Sequence, residues 1–216
     1  MTPRHRIWAS LTSVDLGELV EVAQRLEEAG VDGIHVDVSD GVFTPDLTFG
    51  QRVVSALTSR TTLPVEAHLM VVTPEQQLRA VADAGASRAC FHVEATRYPW
   101  RVAGLGKALG MDVGLAVNPV TPIDSMQYLV TLCDYINVLT TEPDDLGEVM
   151  LPSAAGRVAQ AATLGAGAWA VQVDGGVTTE NSPPLVEAGA IELVVGRALV
   201  AHPEPAQLLA AFRALT

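Results

Sequence analysis

Ala29-Gly30-Val31-Asp32-Gly33-Ile34-His35-Val36-Asp37-Val38 is the stretch on which the fold turns. Ala-Gly ends a helix, because glycine takes the left-handed conformation that closes the last turn. A strand over 33–38 starts at once, its apolar residues interrupted by His35 and Asp37. Alternate strand residues point the same way, so those two polar side chains share one face. Working back, Asp15 is expected to N-cap a helix running to residue 28, with Leu16, Leu19, Val20, Ala23 and Leu26 on one face. A first strand precedes it at 7–11. Working forward, the unit repeats. Strands are expected at 64–69, 89–93, 113–117, 135–139, 169–173 and 193–195. Helices are expected at 51–59, 74–84, 99–109, 122–132, 152–164, 180–187 and 205–215. Gly30, Gly85, Gly110, Gly165 and Gly189 read as helix stops before the next strand. Eight alternations without a linker predict an α/β protein of the (β/α)8 TIM-barrel class, one domain over residues 1–216. A doubly wound sheet fits less well, since no Gly-x-Gly-x-x-Gly follows the first strand.

The 216 residues are 49% hydrophobic and 18% charged, enough apolar content for a sizeable core. The formal net charge of −12 argues against nucleic acid or an anionic membrane surface as partner. Cys90 and Cys133 make no disulfide framework and no Cys-x-x-Cys site, and Cys90 in its apolar run reads as a buried, inert thiol. Arg4-His5-Arg6 is followed by too short an apolar run for a signal peptide. The weakly charged stretch 158–173 is broken by Gln160, Gly165, Gly167 and Gln172, which argues against a membrane span. A cytoplasmic protein is expected.

Chemistry in such barrels sits at the C-terminal ends of the strands. Polar residues collect there: Ser10, His35 with Asp37, His68, His92 with Glu94, Asn118, Thr140 and Thr141, Asp174 before Gly175-Gly176, and Gly196-Arg197. Singly, a strand histidine is most often a hydrogen-bonded core residue and a strand-end aspartate a cap. Together, His35, Asp37, His68 and Asp174 make two imidazoles and two carboxylates at one mouth. That set suits one divalent ion, Zn²⁺, Mn²⁺, Fe²⁺ or Co²⁺. Without an ion or substrate, such buried charge would be costly. The second and seventh strands lie three steps apart round the ring, so Asp37 and Asp174 should oppose each other. Inverting a carbon beside a carbonyl needs a base on one face and an acid on the other, and a metal to steady the enediolate.

These residues resemble a known family. Ala9-Ser10-Leu11-Thr12-Ser13-Val14-Asp15, His35-Val36-Asp37-Val38-Ser39-Asp40-Gly41 with Phe43 and Pro45, His68-Leu69-Met70, Asn118-Pro119-Val120-Thr121-Pro122 and Val173-Asp174-Gly175-Gly176-Val177 fall in the order found in ribulose-phosphate 3-epimerases. The resemblance implies a barrel of the ribulose-phosphate-binding type that interconverts ribulose 5-phosphate and xylulose 5-phosphate. It implies metal ligands at His35, Asp37, His68 and Asp174, with Asp37 and Asp174 as the acid/base pair. It implies substrate contacts at Ser10, His68, Met70, Gly175, Gly176 and Gly196. Met70 is either a soft lining for the enediolate or plain core. A homo-oligomer is also implied.

Three departures stand out. Ser39 replaces a methionine of the family. Glu142-Pro143-Asp144-Asp145-Leu146-Gly147-Glu148 replaces Asn-Pro-Gly-Phe-Gly-Gly-Gln, so only Pro143 and Gly147 survive in the phosphate loop. Four carboxylates arrive where a dianion would sit. Arg197 follows Gly196 where the family has serine. It could bind phosphate bidentately, or pair with Asp144, Asp145 or Glu148. The first expectation is therefore a metal-dependent epimerase of a pentulose phosphate, its partner a small sugar or sugar phosphate. A paralogue acting on an unphosphorylated or amine-bearing sugar is the second. A non-catalytic binding barrel is the third. A decarboxylase is disfavoured, because Lys107 is the sole lysine and the Asp-x-Lys-x-x-Asp pattern is missing.

Overall fold

The strands alternate apolar and polar residues, and that alternation builds the molecule. In the computed structural model, which describes residues 5–143 and 149–215, eight parallel strands close in chain order into one barrel. They are β1 (Arg6–Ser10), β2 (Gly33–Ser39), β3 (Val65–Met70), β4 (Arg88–His92), β5 (Asp112–Val117), β6 (Tyr135–Leu139), β7 (Ala170–Asp174) and β8 (Glu192–Val195). The β8–β1 pairing, Ile7 opposite Leu193, closes the ring and rules out the open sheet. The helices are α1 (Leu19–Ala29), α2 (Gln51–Thr58), α3 (Pro74–Asp83), α4 (Pro99–Ala108), α5 (Ala154–Gly165), α6 (Pro183–Glu187), α7 (Arg197–Val200) and α8 (Pro205–Arg213).

Two layers follow from the alternation. Ile34, Val36 and Val38 of β2, Ala67 and Leu69 of β3, and Val171 and Val173 of β7 join the apolar core with Leu26, Val54, Leu78 and Val158 of the helices. Their alternate neighbours fill the barrel. Gln172 Nε2 on β7 donates to Glu66 Oε2 on β3 at 3.1 Å, and Arg88 on β4 pairs with Glu192 on β8 at 2.8 Å. Each pair joins strands four apart in the ring, a reach possible only through the interior. Arg88 also lies 3.1 Å from Glu66, with its guanidinium 4.2 Å from the Trp8 ring centre and 4.0 Å from that of Tyr135. The lower barrel is thus a compensated charge cluster between aromatic faces.

Several expected local features differ. Asp15 does not cap α1. Its Oδ1 accepts from the Gly17 N–H at 2.8 Å, tightening the preceding turn, and the helix opens after Glu18. The helix expected at 122–132 is a 3₁₀ helix, Ile123–Leu129, whose buried residues Ile123, Met126 and Leu129 recur every third position. That spacing matches three residues per turn. The helix expected at 180–187 shrinks to α6, and α7 was not expected. Gly30, Gly85, Gly110 and Gly189 take positive φ as helix stops should. Gly165 does not: Ala166 takes the left-handed turn (φ 45°), and a Cβ on Gly165 would sit 2.1 Å from the Trp169 indole nitrogen. Glycine is needed there for packing. No helix among the described residues is long and apolar enough to cross a membrane.

Candidate metal centre

His35 and Asp37 point inward from β2, and strand register places His68 of β3 directly beside Asp37. Asp174 ends β7. Its carbonyl is held by the Thr140 backbone N–H at 2.8 Å, which pins the strand end. Around one point, His35 Nε2 lies 3.2 Å from Asp37 Oδ1 and 3.3 Å from Asp174 Oδ2. His68 Nδ1 lies 3.1 Å and 3.3 Å from the same two oxygens. The two imidazole nitrogens are themselves 3.3 Å apart. One ligand atom from each of the four residues lies within 4.8 Å of the others, so the quartet expected from sequence is assembled.

The chemistry of that donor set is one-sided. His35 Nδ1 lies 3.0 Å from Glu66 Oε1. A carboxylate only accepts, so Nδ1 carries a proton, and Nε2, once it gives up its own, offers a lone pair to the centre. Asp37 and Asp174 add two acceptor oxygens. Its Oδ2 already taken by the Ser10 hydroxyl at 2.9 Å and by the Thr12 hydroxyl, Asp37 turns Oδ1 inward. Burial pushes the Asp37 and Asp174 carboxyls up, yet His35 and His68 outweigh it. Asp37 falls well below the usual carboxylate range and Asp174 to about 2. Conversely, burial pulls both imidazoles down, and the two carboxylates overcome it and raise them. Acceptors converging in this way need a cation or protons between them. Two imidazole nitrogens and two carboxylate oxygens fit a divalent metal ion.

Above the quartet a cavity of about 620 Å³ opens at the mouth, lined by Ser10, Asp37, His68, Met70, Asp174, Gly175, Gly176, Gly196 and Arg197. Every described substrate-contact residue expected from sequence therefore faces one space. Gly175 has φ 111°, and a Cβ there would sit 2.4 Å from the Thr141 hydroxyl oxygen, so this turn requires glycine. Met70 borders the cavity and is only partly buried, so it lines the mouth. Arg197 opens α7 on the exposed rim. Asp144, Asp145, Gly147 and Glu148 lie outside the described residues. Ser39 is buried and bonded to Thr44 and the Asp46 carbonyl, so its hydroxyl ties the loop after β2. Asp40 Oδ1 receives the Val42 and Phe43 N–H groups at 2.9 Å, and Oδ2 that of Val72 at 2.8 Å. The second aspartate of the motif organises backbone.

Four participants received no role from sequence: Thr12, Glu66, His92 and Glu94. His92 Nε2 meets His68 Nε2 at 2.9 Å, and its Nδ1 lies 3.4 Å from Glu94 Oε2. Burial drives His92 down to about 4, with Glu94 opposing only in part. The signal for Glu66 and His92 was present as inward parity, since Glu66 precedes His68 by two and Arg88, Cys90 and His92 alternate on β4.

Residues 6–200 match the model of the ribulose-phosphate 3 epimerase family. The chain belongs to that family. It is 35% identical over 211 residues to ribulose-5-phosphate-3-epimerase, chloroplastic, of Arabidopsis thaliana, covering 95% of this chain and 75% of that protein. To ribulose-phosphate 3-epimerase of Synechocystis sp. it is 34% identical, covering 94% and 91%. To the Bacillus subtilis enzyme of that name it is 32% identical, covering 90% and 91%. Among solved structures, KGPDC from Streptococcus mutans superposes with a TM-score of 0.75, at 14% identity over 97% of this chain and 95% of that one. At that identity the likeness is one of fold.

Proposed function

We propose that this chain is a metal-dependent epimerase that inverts the carbon beside the carbonyl of a pentulose phosphate, ribulose 5-phosphate being the substrate to test. The observation that carries the reading is the quartet itself, inside a chain of this family. His35, Asp37, His68 and Asp174 would hold the ion. When bound, a divalent cation supplies positive charge for the enediolate oxygens, and Zn²⁺, Fe²⁺, Mn²⁺ and Co²⁺ all suit the donors.

The chain's own groups handle the proton. Asp37 and Asp174 approach from strands three apart in the ring, so a planar intermediate between them presents one face to each. One carboxylate takes the proton from the carbon, and the other returns one to the opposite face. For the reverse substrate they exchange duties. Ser10 and Thr12, both donating to Asp37 Oδ2, orient that carboxylate. The flexible, polarizable Met70 thioether borders the reacting face. Gly175, Gly176 and Gly196 leave room for close approach of backbone to a phosphate, with Arg197 at the rim as a bidentate partner.

Metal-loaded protein incubated with ribulose 5-phosphate in deuterated water should form xylulose 5-phosphate carrying one deuterium. Absence of both product and label removes this substrate. Support for the phosphorylated substrate comes from the relatives, which are named for it. For an unphosphorylated sugar only the acidic sequence at 142–148 speaks, and residues 144–148 lie outside the described residues; a silent binding barrel has no observation of its own in its favour.

A further inference from the structure

We propose that His92, backed by Glu94, is a positioning residue that fixes the tautomer of His68. This rests on the reading of the quartet as a metal site and goes beyond it by assigning the group that presents one ligand.

The argument starts from Nε2 of His68, which points away from the quartet. It meets His92 Nε2 at 2.9 Å. The two rings are inclined by only 18° with centroids 5.0 Å apart, so they meet edge to edge through these nitrogens. Such a bond holds one proton, and either ring could own it. Glu94 decides. Its Oε2 lies 3.4 Å from His92 Nδ1, while its Oε1 accepts from the Asn118 N–H at 2.9 Å and from the Thr121 hydroxyl. A carboxylate this near Nδ1 favours a proton there through its charge, although the contact is not a formed hydrogen bond, and this leaves His92 Nε2 as acceptor. The shared proton then belongs to His68 Nε2, and the His68 Nδ1 lone pair is released toward the ion.

The support extends outward. Arg157 donates to the Thr121 carbonyl at 2.8 Å and to the Asn118 carbonyl at 2.9 Å, fixing the segment that anchors Glu94. The Phe43 ring, 4.6 Å from that of His92, packs against it. His35 and His68 are therefore oriented by different means, a buried carboxylate behind one and a neutral imidazole behind the other. Outer partners of this kind commonly govern metal affinity by roughly 10–100-fold.

The test compares zinc affinity, by competition with a chromophoric chelator, for the parent, His92→Leu, His92→Gln and Glu94→Gln. Folding is checked by circular dichroism. The expected result is a roughly 10–100-fold loss for His92→Leu, a smaller loss for Glu94→Gln, and substantial retention for His92→Gln, whose amide oxygen can accept from Nε2–H. Long-range proton–nitrogen spectra of the zinc-loaded parent should show His68 protonated at Nε2. If His92→Leu binds zinc as tightly as the parent, the inference is wrong while the metal site stands; a proton on His68 Nδ1 in the zinc-loaded parent overturns both, since that nitrogen is the ligand atom. If the parent binds no zinc, the metal site falls, and this inference with it. Should His92→Leu fail to fold, Glu94→Gln decides: zinc affinity equal to the parent's overturns the inference.

Discussion

Asp37 and Asp174 are alike in chemistry and differ in support. Two hydroxyls donate to Asp37, whereas Asp174 is held chiefly through its backbone and neighbouring imidazoles. Replacing either with asparagine keeps the shape and removes a proton carrier. Each change should lower kcat by roughly 10²–10⁴-fold in an epimerisation assay. Ser10→Ala should cost far less, since Thr12 still orients Asp37. The raised imidazoles carry a second consequence. With the folded-state values of His35 and His68 raised, the quartet keeps protons that an ion must displace. Calorimetric zinc titrations at pH 7 in buffers of different ionisation enthalpy should show proton release, and no buffer dependence would contradict this protonation of the quartet. Cysteines at this scale are inert. Burial pushes Cys133 up to about 12 and Cys90 well above its ordinary value, so neither should react with a thiol reagent in the folded protein at neutral pH.

At the scale of elements, the junction after β7 concentrates the constraints. Gly175 cannot accept a Cβ without meeting Thr141, and its φ of 111° is one that other residues avoid. Gly175→Ala should destabilise the fold by about 1–3 kcal/mol in urea titration and depress activity further, because Asp174 is the adjacent residue. Most elements were legible from periodicity, and the misses have physical reasons. Strands reach further than their apolar runs where they begin with charge: Arg6, Arg88 and Glu192 belong to β1, β4 and β8. A charged residue at a strand start reads as loop when its partner is unknown. The 3₁₀ helix carries a period of three at Ile123, Met126 and Leu129, which is hard to separate from a helical stripe over so short a span.

Across the whole molecule, Arg88 joins opposite walls of the barrel beneath the metal centre. Arg88→Met keeps the volume but leaves Glu66 and Glu192 facing each other with less compensation. The expected loss is roughly 3–5 kcal/mol of stability by chemical denaturation. Because Glu66 also orients His35, zinc affinity should fall with it. Acid acts on the same groups. Glu66 is raised by burial but lowered more by Arg88 and His35. Burial likewise raises Glu94, and His92 and Thr121 lower it below its ordinary value of 4.5. Folded values below the unfolded ones contribute stability that is fully present above about pH 4.5 and is lost as pH falls toward the folded values. Below about pH 4.5 these two carboxylates should make Tm fall as pH falls, and that fall should be shallower for Glu94→Gln.

Alternation of apolar and polar residues, repeated eight times with helix stops between, determined the barrel and the four residues that meet at its mouth. Periodicity is a local property, and a closed ring brings the same end of every strand to one place. What surrounds the quartet was decided only by the tertiary structure. Glu66 behind His35, Arg88 between Trp8 and Tyr135, and the His92–Glu94 arm depend on which inward side chains meet. Those meetings are fixed by register and by closure across the ring, which no spacing along the chain encodes.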